Sequence, residues 1–251
     1  MKHRLSAFLI HLLISGILAL IAIFIVFFVW YPAPLHEAVG VTQIFLILLA
    51  VDIMIGPIMT LIVYKPNKPS LKFDLTVIAL LQLAALSYGM DTVFQGRPAF
   101  IVFNGNRFEI SRASDIDPDS INTALKNGNK AAMAGWTRPR WVGTVASPDP
   151  KRAQDIMFSS VLGGPDWPQL PELFVPISQV KTQILAKALP LEELHELQRK
   201  NGNEVNLDDW KDNKWLPLRG KVKNLVVLID ARTANVIKIL DIDPWTVSDG
   251  K

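Results

Sequence analysis

The chain has 251 residues, half of them hydrophobic, with a formal net charge of +3 and no cysteine. The missing cysteines exclude a disulfide framework, thiol redox chemistry and thiolate metal sites. The apolar residues crowd into the first ~95 positions, which predicts a membrane region followed by a soluble domain of ordinary size.

Leu5–Trp30 is interrupted only by Ser6, His11, Ser15 and Gly16, ample length for a ~30 Å hydrocarbon core at ~1.5 Å per residue. Its apolar core exceeds that of a signal peptide, and the exit Trp30-Tyr31-Pro32-Ala33-Pro34 lacks a small-residue cleavage pattern. It therefore reads as a retained helix with an interfacial Trp-Tyr pair. Val41–Val63 is the second predicted span. Residues 75–94 form a weaker third, interrupted by Gln82 and Asp91 and broken by Tyr88-Gly89. Lys2 and Arg4 precede span one, the first loop (31–40) has no lysine or arginine, and the second carries Lys65, Lys68 and Lys72. The positive-inside rule then predicts a cytoplasmic N-terminus and export of residues 95–251. These carry 21 basic and 19 acidic residues, and this balance together with the topology argues against nucleic acid as a partner.

In the exported part, Ala99–Phe103 and Arg107–Ile110 read as strands joined by an Asn104-Gly105 hairpin turn. Asp117, Pro118 and Gly128 supply the N-cap, first position and end of a helix. Met133–Pro176, rich in proline, glycine and tryptophan, is expected to be mostly irregular. Two short helices follow, at 177–188 and 190–200. The second has Glu192, Glu193 and Glu196 early and Arg199-Lys200 late, as the helix dipole favours. Residues 215–218, 225–229 and 236–240 read as strands of a C-terminal antiparallel sheet, so the predicted class is α+β.

A carboxylate in the middle of span two costs at least ~2.5 kcal/mol if it faces lipid, which makes Asp52 the leading candidate for specific chemistry. Counted from the cytoplasmic ends of their spans, Asp52 lies ~16 Å deep, Ser15 ~15 Å and Gln82 ~10 Å. A hydrogen-bonded cluster across three helices is therefore expected, with His11 nearer the cytoplasmic face. Gly56-Pro57 would kink span two and permit close helix approach. Such a cluster can serve as a docking point for another transmembrane helix, or simply as interhelical glue. Asp115, Asp117 and Asp119 begin like an EF-hand loop, but Ser120 and Lys126 stand where glycine and glutamate are required, so capping explains them better. His195 has no second histidine four residues on, and Ser159-Ser160 lacks the glycines of a nucleophile elbow. No catalytic set, metal site or cofactor motif emerges. Most of the six exported tryptophans read as core, with one or two near Arg138-Pro139-Arg140-Trp141 available to anchor a protein interface.

In order along the chain, Lys2-x-Arg4, Ala7-Phe8, His11-Leu12, Ser15, Trp30-Tyr31-Pro32, Val51-Asp52, Gly56-Pro57, Gln82 and Tyr88-Gly89 resemble the type IV pilin accessory proteins (the TfpX/TfpZ group). Arg97-Pro98, Arg107-Phe108, Arg219-Gly220, residues 225–230 and Pro244-Trp245 extend the resemblance over nearly the whole chain. It implies a non-enzymatic protein of a Gram-negative inner membrane that works beside a type IV pilin, assisting its stability or assembly. The pilin's transmembrane helix, its head domain and membrane lipid are the implied partners, and Asp52, Ser15, Gln82, His11, Gly56 and Pro57 are the residues expected to meet the pilin. The alternative from another class is a membrane-anchored periplasmic ligand sensor, which requires an apolar pocket with convergent polar groups. A hydrolase built on His195 is a third reading.

Overall fold

The computed structural model describes residues 1–201 and 206–245. Helix α1 (Lys2–Phe24) continues through a π-helical stretch, Ile25–Trp30, to make one apolar rod. A short helix α2 (Leu35–Val39) ends at Gly40, whose φ of +79° favours a residue without a Cβ. Helices α3 (Val41–Val63) and α4 (Leu71–Gln95) follow. With α1, they are long and apolar enough to cross a membrane. Helix α4 begins four residues before the expected Leu75 and runs through Tyr88-Gly89, where the apolar run is broken but the helix is not. A Cβ on buried Gly89 would strike the Leu48 side chain of α3, so the glycine serves close helix approach.

The mixed α+β part starts with strands β1 (Pro98–Asn104) and β2 (Arg107–Arg112). Asn104 pairs with Arg107, so the hairpin loop is Gly105-Asn106, one residue later than expected. Gly105 takes the positive φ of +70° that such a turn needs. Helix α5 (Pro118–Lys126) is capped as predicted, with the Asp117 side chain accepting from the Ser120 amide. The segment expected to be irregular instead holds strand β3 (Arg140–Thr144), helix α6 (Pro150–Val161) and strand β4 (Phe174–Pro176). Helix α6 repeats the Asp-Pro start of α5, with Asp149 as its N-cap. Strand β3 pairs in parallel with β1, some 40 positions away, a contact that local pattern cannot reveal.

Residues 177–180 form a 3-10 turn that leads into α7 (Lys181–Lys187), followed by β5 (Leu189–Pro190) and α8 (Leu191–Asn201). Strands β6 (Lys214–Arg219), β7 (Leu225–Ile229) and β8 (Val236–Leu240) close the fold. They are antiparallel to one another, as expected, but they belong to a single mixed sheet ordered β4-β3-β1-β2-β6-β7-β8, with β5 also against β6. The join is a short parallel contact, Phe108 to Leu218 and Glu109 to Arg219.

Strand β1 is buried almost throughout. Its Ile101 and Phe103 face one core with Val180 and Ile184, while Phe100 and Val102 face another with Ile116 and Phe174. Burial on both faces explains its continuous apolar run. The same holds for β7, whose alternate residues enter two different cores.

The loop between spans one and two fastens the membrane bundle to this domain. Leu35 and Ala38 of α2 sit in the sheet's principal core with Phe108, Leu218 and Leu225. The Val222 amide donates to the Ala38 carbonyl (2.9 Å). Lys223 donates to the Glu37 carboxylate at 2.7 Å and also pairs with Asp241. The Lys223 hydrogen bond holds the Glu37 carboxyl below its ordinary range, and Asp241 and Glu37 together raise the Lys223 ammonium.

Candidate partner-binding site in the membrane region

Helix α3 packs against both α1 and α4. Asp52, Gly56 and Thr60 follow one another at intervals of four on α3, as do His11 and Ser15 on α1, so each set shares one helix face. Gln82 of α4 reaches into the space between them. Its Nε2 donates to Ser15 Oγ (2.9 Å) and to the backbone carbonyl of Asp52 (3.0 Å). Its Oε1 lies 2.8 Å from His11 Nε2, and His11 Nδ1 lies 2.6 Å from Thr60 Oγ1. With its amide nitrogen donating, the Gln82 oxygen accepts from His11 Nε2, and His11 Nδ1 shares its hydrogen bond with the Thr60 hydroxyl, which can donate or accept. Ser15 and Thr60 are buried, so the knot satisfies polar groups that hydrocarbon would leave unpaired.

Gly56 is what lets Gln82 in. A Cβ there would overlap the Gln82 amide oxygen. Pro57 is buried beside it inside a helix that remains continuous, and its ring leaves the Ile53 carbonyl without a helical donor. Thr60 was missed by sequence reasoning, although its four-residue spacing from Gly56 was available as a signal. Of the six predicted residues, Ser15, Gln82, His11 and Gly56 converge on the knot. Asp52 contributes its backbone carbonyl there, and Pro57 stands beside the knot without joining its hydrogen bonds.

The half-buried Asp52 also borders a groove of about 520 Å³ between α3 and α4. Leu48, Val51, Ile55 and Met59 form one wall, with Ile78, Leu81, Ala85 and Leu86 opposite. Asp52 and Gln82 are its polar members. From Leu48 to Met59 the wall covers about three turns, roughly 16 Å of helix.

In the α+β domain, a cleft of about 230 Å³ opens where β2 and β6 diverge, lined by Glu109, Asp115, Asp166, Arg219 and Lys221. Its carboxylates already have internal partners: Arg107 binds Glu109, Arg112 binds Asp115, and Asp166 caps the turn at Trp167. For Asp115, burial pushes its carboxyl up, but the Arg112 hydrogen bond and charge outweigh that and leave it below its ordinary range. A second cleft of about 540 Å³ lies beside Asn104, Val145, Trp167 and Gln183. Of the three aspartates that begin like a calcium loop, Asp117 caps α5, Asp115 pairs with Arg112, and Asp119 is exposed in the first turn of α5. No group of three or more metal-ligating side chains occurs among the described residues.

Three apolar helices clasped to a mixed α+β domain, with a polar knot behind a lipid-side groove, define a membrane protein whose distinguishing chemistry is helix packing. Residues 1–40 match the family model described as Fimbrial assembly protein FimB. The chain is 27% identical over 246 residues to the fimbrial assembly protein of Dichelobacter nodosus serogroup E1, spanning 94% of each. It is 30% identical over 186 residues to the serogroup I protein, covering 72% of this chain and 70% of that relative. A third relative, from serogroups C1 and C2, is 32% identical over 117 residues, 46% of this chain and 89% of its own length. The chain belongs to the fimbrial assembly protein family. No solved structure matches it.

Proposed function

We propose that this protein acts in pilus assembly as a non-enzymatic inner-membrane factor that binds type IV pilin subunits, as the resemblance to the TfpX/TfpZ group implies. The names of its relatives support the assembly role. The observation that carries subunit binding is the α3–α4 groove with Asp52 on its wall. It has the length for about three turns of a visiting apolar helix, and the small side chain of Ala85 keeps one wall low enough for backbones to approach. A donor on the visiting helix would meet the Asp52 carboxylate, which gives a preference among otherwise similar apolar helices. Lysine and arginine in the short loops support a cytoplasmic N-terminus and a periplasmic soluble domain. That domain, fixed to the bundle through α2, would stand over the groove's outer end and meet the pilin head.

Ala85→Trp tests the reading, because the indole fills the groove while leaving the knot intact. Surface pili and pilin half-life should fall together at unchanged abundance of the variant protein. Normal piliation by a well-expressed Ala85→Trp protein would remove the groove from the account and favour a soluble-domain role, such as ligand sensing.

A further inference from the structure

Where spans one and three leave the membrane region, their terminal aromatics meet. The Trp30 and Phe94 ring centroids are 4.9 Å apart, and the Tyr31 hydroxyl donates to the Val93 carbonyl (2.7 Å). Arg97 lies on this junction with its guanidinium 3.6 Å over the Phe94 ring. It is only 7% exposed and donates to the Phe94 and Gly135 carbonyls. Its Nε has no partner, nor has Trp30 Nε1, and Arg97 forms no ion pair among the described residues. A guanidinium buried without a counter-charge among the described residues leaves this junction with a net positive charge.

The segment that caps this junction has a matching composition. Trp136 sits 6.0 Å from Phe94 yet is 72% exposed, and Met133 is exposed beside it. The contacts of Trp136 with Phe94 and of Gly135 with Arg97 fix this loop at the level where span three ends. Arg140 pins its base by donating to the Lys130 and Met133 carbonyls. Between Asp119 and Asp149 the chain has no acidic residue, while Lys126, Lys130, Arg138 and Arg140 are all present. Lys130 and Arg138 are exposed, and neither side chain forms a hydrogen bond or ion pair among the described residues. Exposed tryptophan and methionine with exposed cations, at the level where span three ends, have the composition of an interfacial anchor for anionic lipid.

We infer that residues 133–140, with Arg97 beneath them, dock onto anionic phospholipid headgroups of the leaflet from which span three emerges. Trp136 and Met133 enter the headgroup layer, and Lys130, Arg138 and Arg140 meet the phosphodiester anions. The loop therefore fixes the height and tilt of the soluble domain on the bilayer. This inference requires the three spans and neither a pilin nor a particular orientation.

The test uses the full chain in nanodiscs of phosphatidylethanolamine with phosphatidylglycerol. Because the chain lacks cysteine, Trp136→Cys and Asn106→Cys each give a unique site for a nitroxide. Asn106 lies at the hairpin tip, remote along β1 from the span. Depth measurements by electron paramagnetic resonance should place the label at 136 in the headgroup–acyl boundary and that at 106 in water. Removing two cations with Lys130→Gln and Arg138→Gln should lower the retention of phosphatidylglycerol over phosphatidylcholine about fivefold per charge. A label at 136 that reads as water in every lipid composition overturns the inference. So does one that becomes shielded only when a pilin is added, which would make this a protein interface. Unchanged phosphatidylglycerol retention in the double variant also overturns it.

Discussion

Replacing Gln82 by Leu removes the centre of the polar knot. Three hydrogen bonds vanish at once, to Ser15, His11 and the Asp52 carbonyl. At an average of about 0.6 kcal/mol for an interhelical bond in a membrane protein, the loss is about 2 kcal/mol. Reversible unfolding of the full chain in mixed micelles, followed by circular dichroism, would measure it. Leu81→Ala, exposed and one residue away, is the control and should change stability by under about 0.5 kcal/mol. The stronger test is non-additivity. Ser15→Ala alone should cost about 0.6 kcal/mol, yet almost nothing in the Gln82→Leu background, where its bond is already gone. Strict additivity, or a Gln82→Leu protein as stable as the wild type, would refute the knot as a cooperative element.

Other consequences follow from the same contacts. Gly56→Ala should approach the effect of Gln82→Leu, because the new Cβ displaces the Gln82 amide oxygen; an unfolding midpoint like that of the wild type would contradict the close approach. Leu35→Ala should destabilise the soluble domain by about 2–5 kcal/mol despite lying in a loop between spans, since Leu35 is part of the sheet's core; tryptophan fluorescence during denaturation would report it. The Glu37–Lys223 contact should depend on pH with a definite sign. The Glu37 carboxyl titrates below its ordinary 4.5 in the fold, so the unfolded chain binds the extra proton first and stability rises with pH in that window. The stability difference between wild type and Glu37→Gln should be present at pH 7 and vanish as the pH falls through the folded value. It should also shrink in high salt, since the pair is exposed. A pH-independent difference would show that the charge is irrelevant. Asp117→Ala should cost about 1 kcal/mol through loss of the α5 N-cap, measured by chemical denaturation.

The spans and the cap of α5 were readable in the sequence because each is fixed by local chemistry: apolar length, or an aspartate followed by proline. The knot was partly readable. Depth along the helices placed Ser15, Asp52 and Gln82 within reach of one another, but Thr60 looked unremarkable until α3 placed it opposite His11. The packing role of Gly89 was not readable, because a glycine in an apolar run does not say which neighbouring helix it will let approach. Strand β3 and the β2–β6 join were hidden for a different reason. Parallel pairing between distant segments leaves no hairpin signal, whereas β1, although covered on both faces and without clean alternation, was recognisable from its β-rich run before the Asn104-Gly105 turn. The docking of α2 into the sheet's core was equally invisible, since nothing in a ten-residue loop announces that its leucine will be buried by residues almost two hundred positions away.

The central claim is that the α3–α4 groove receives a pilin helix. A photoreactive residue at Ile55 or Leu81, both exposed on the groove walls, tests it in native membranes, with Leu20 on span one as the off-groove control. The account predicts a pilin adduct from Ile55 or Leu81, diminished by Asp52→Ala, and none from Leu20. Pilin captured equally from all three positions, or from none while pili are being assembled, would contradict it.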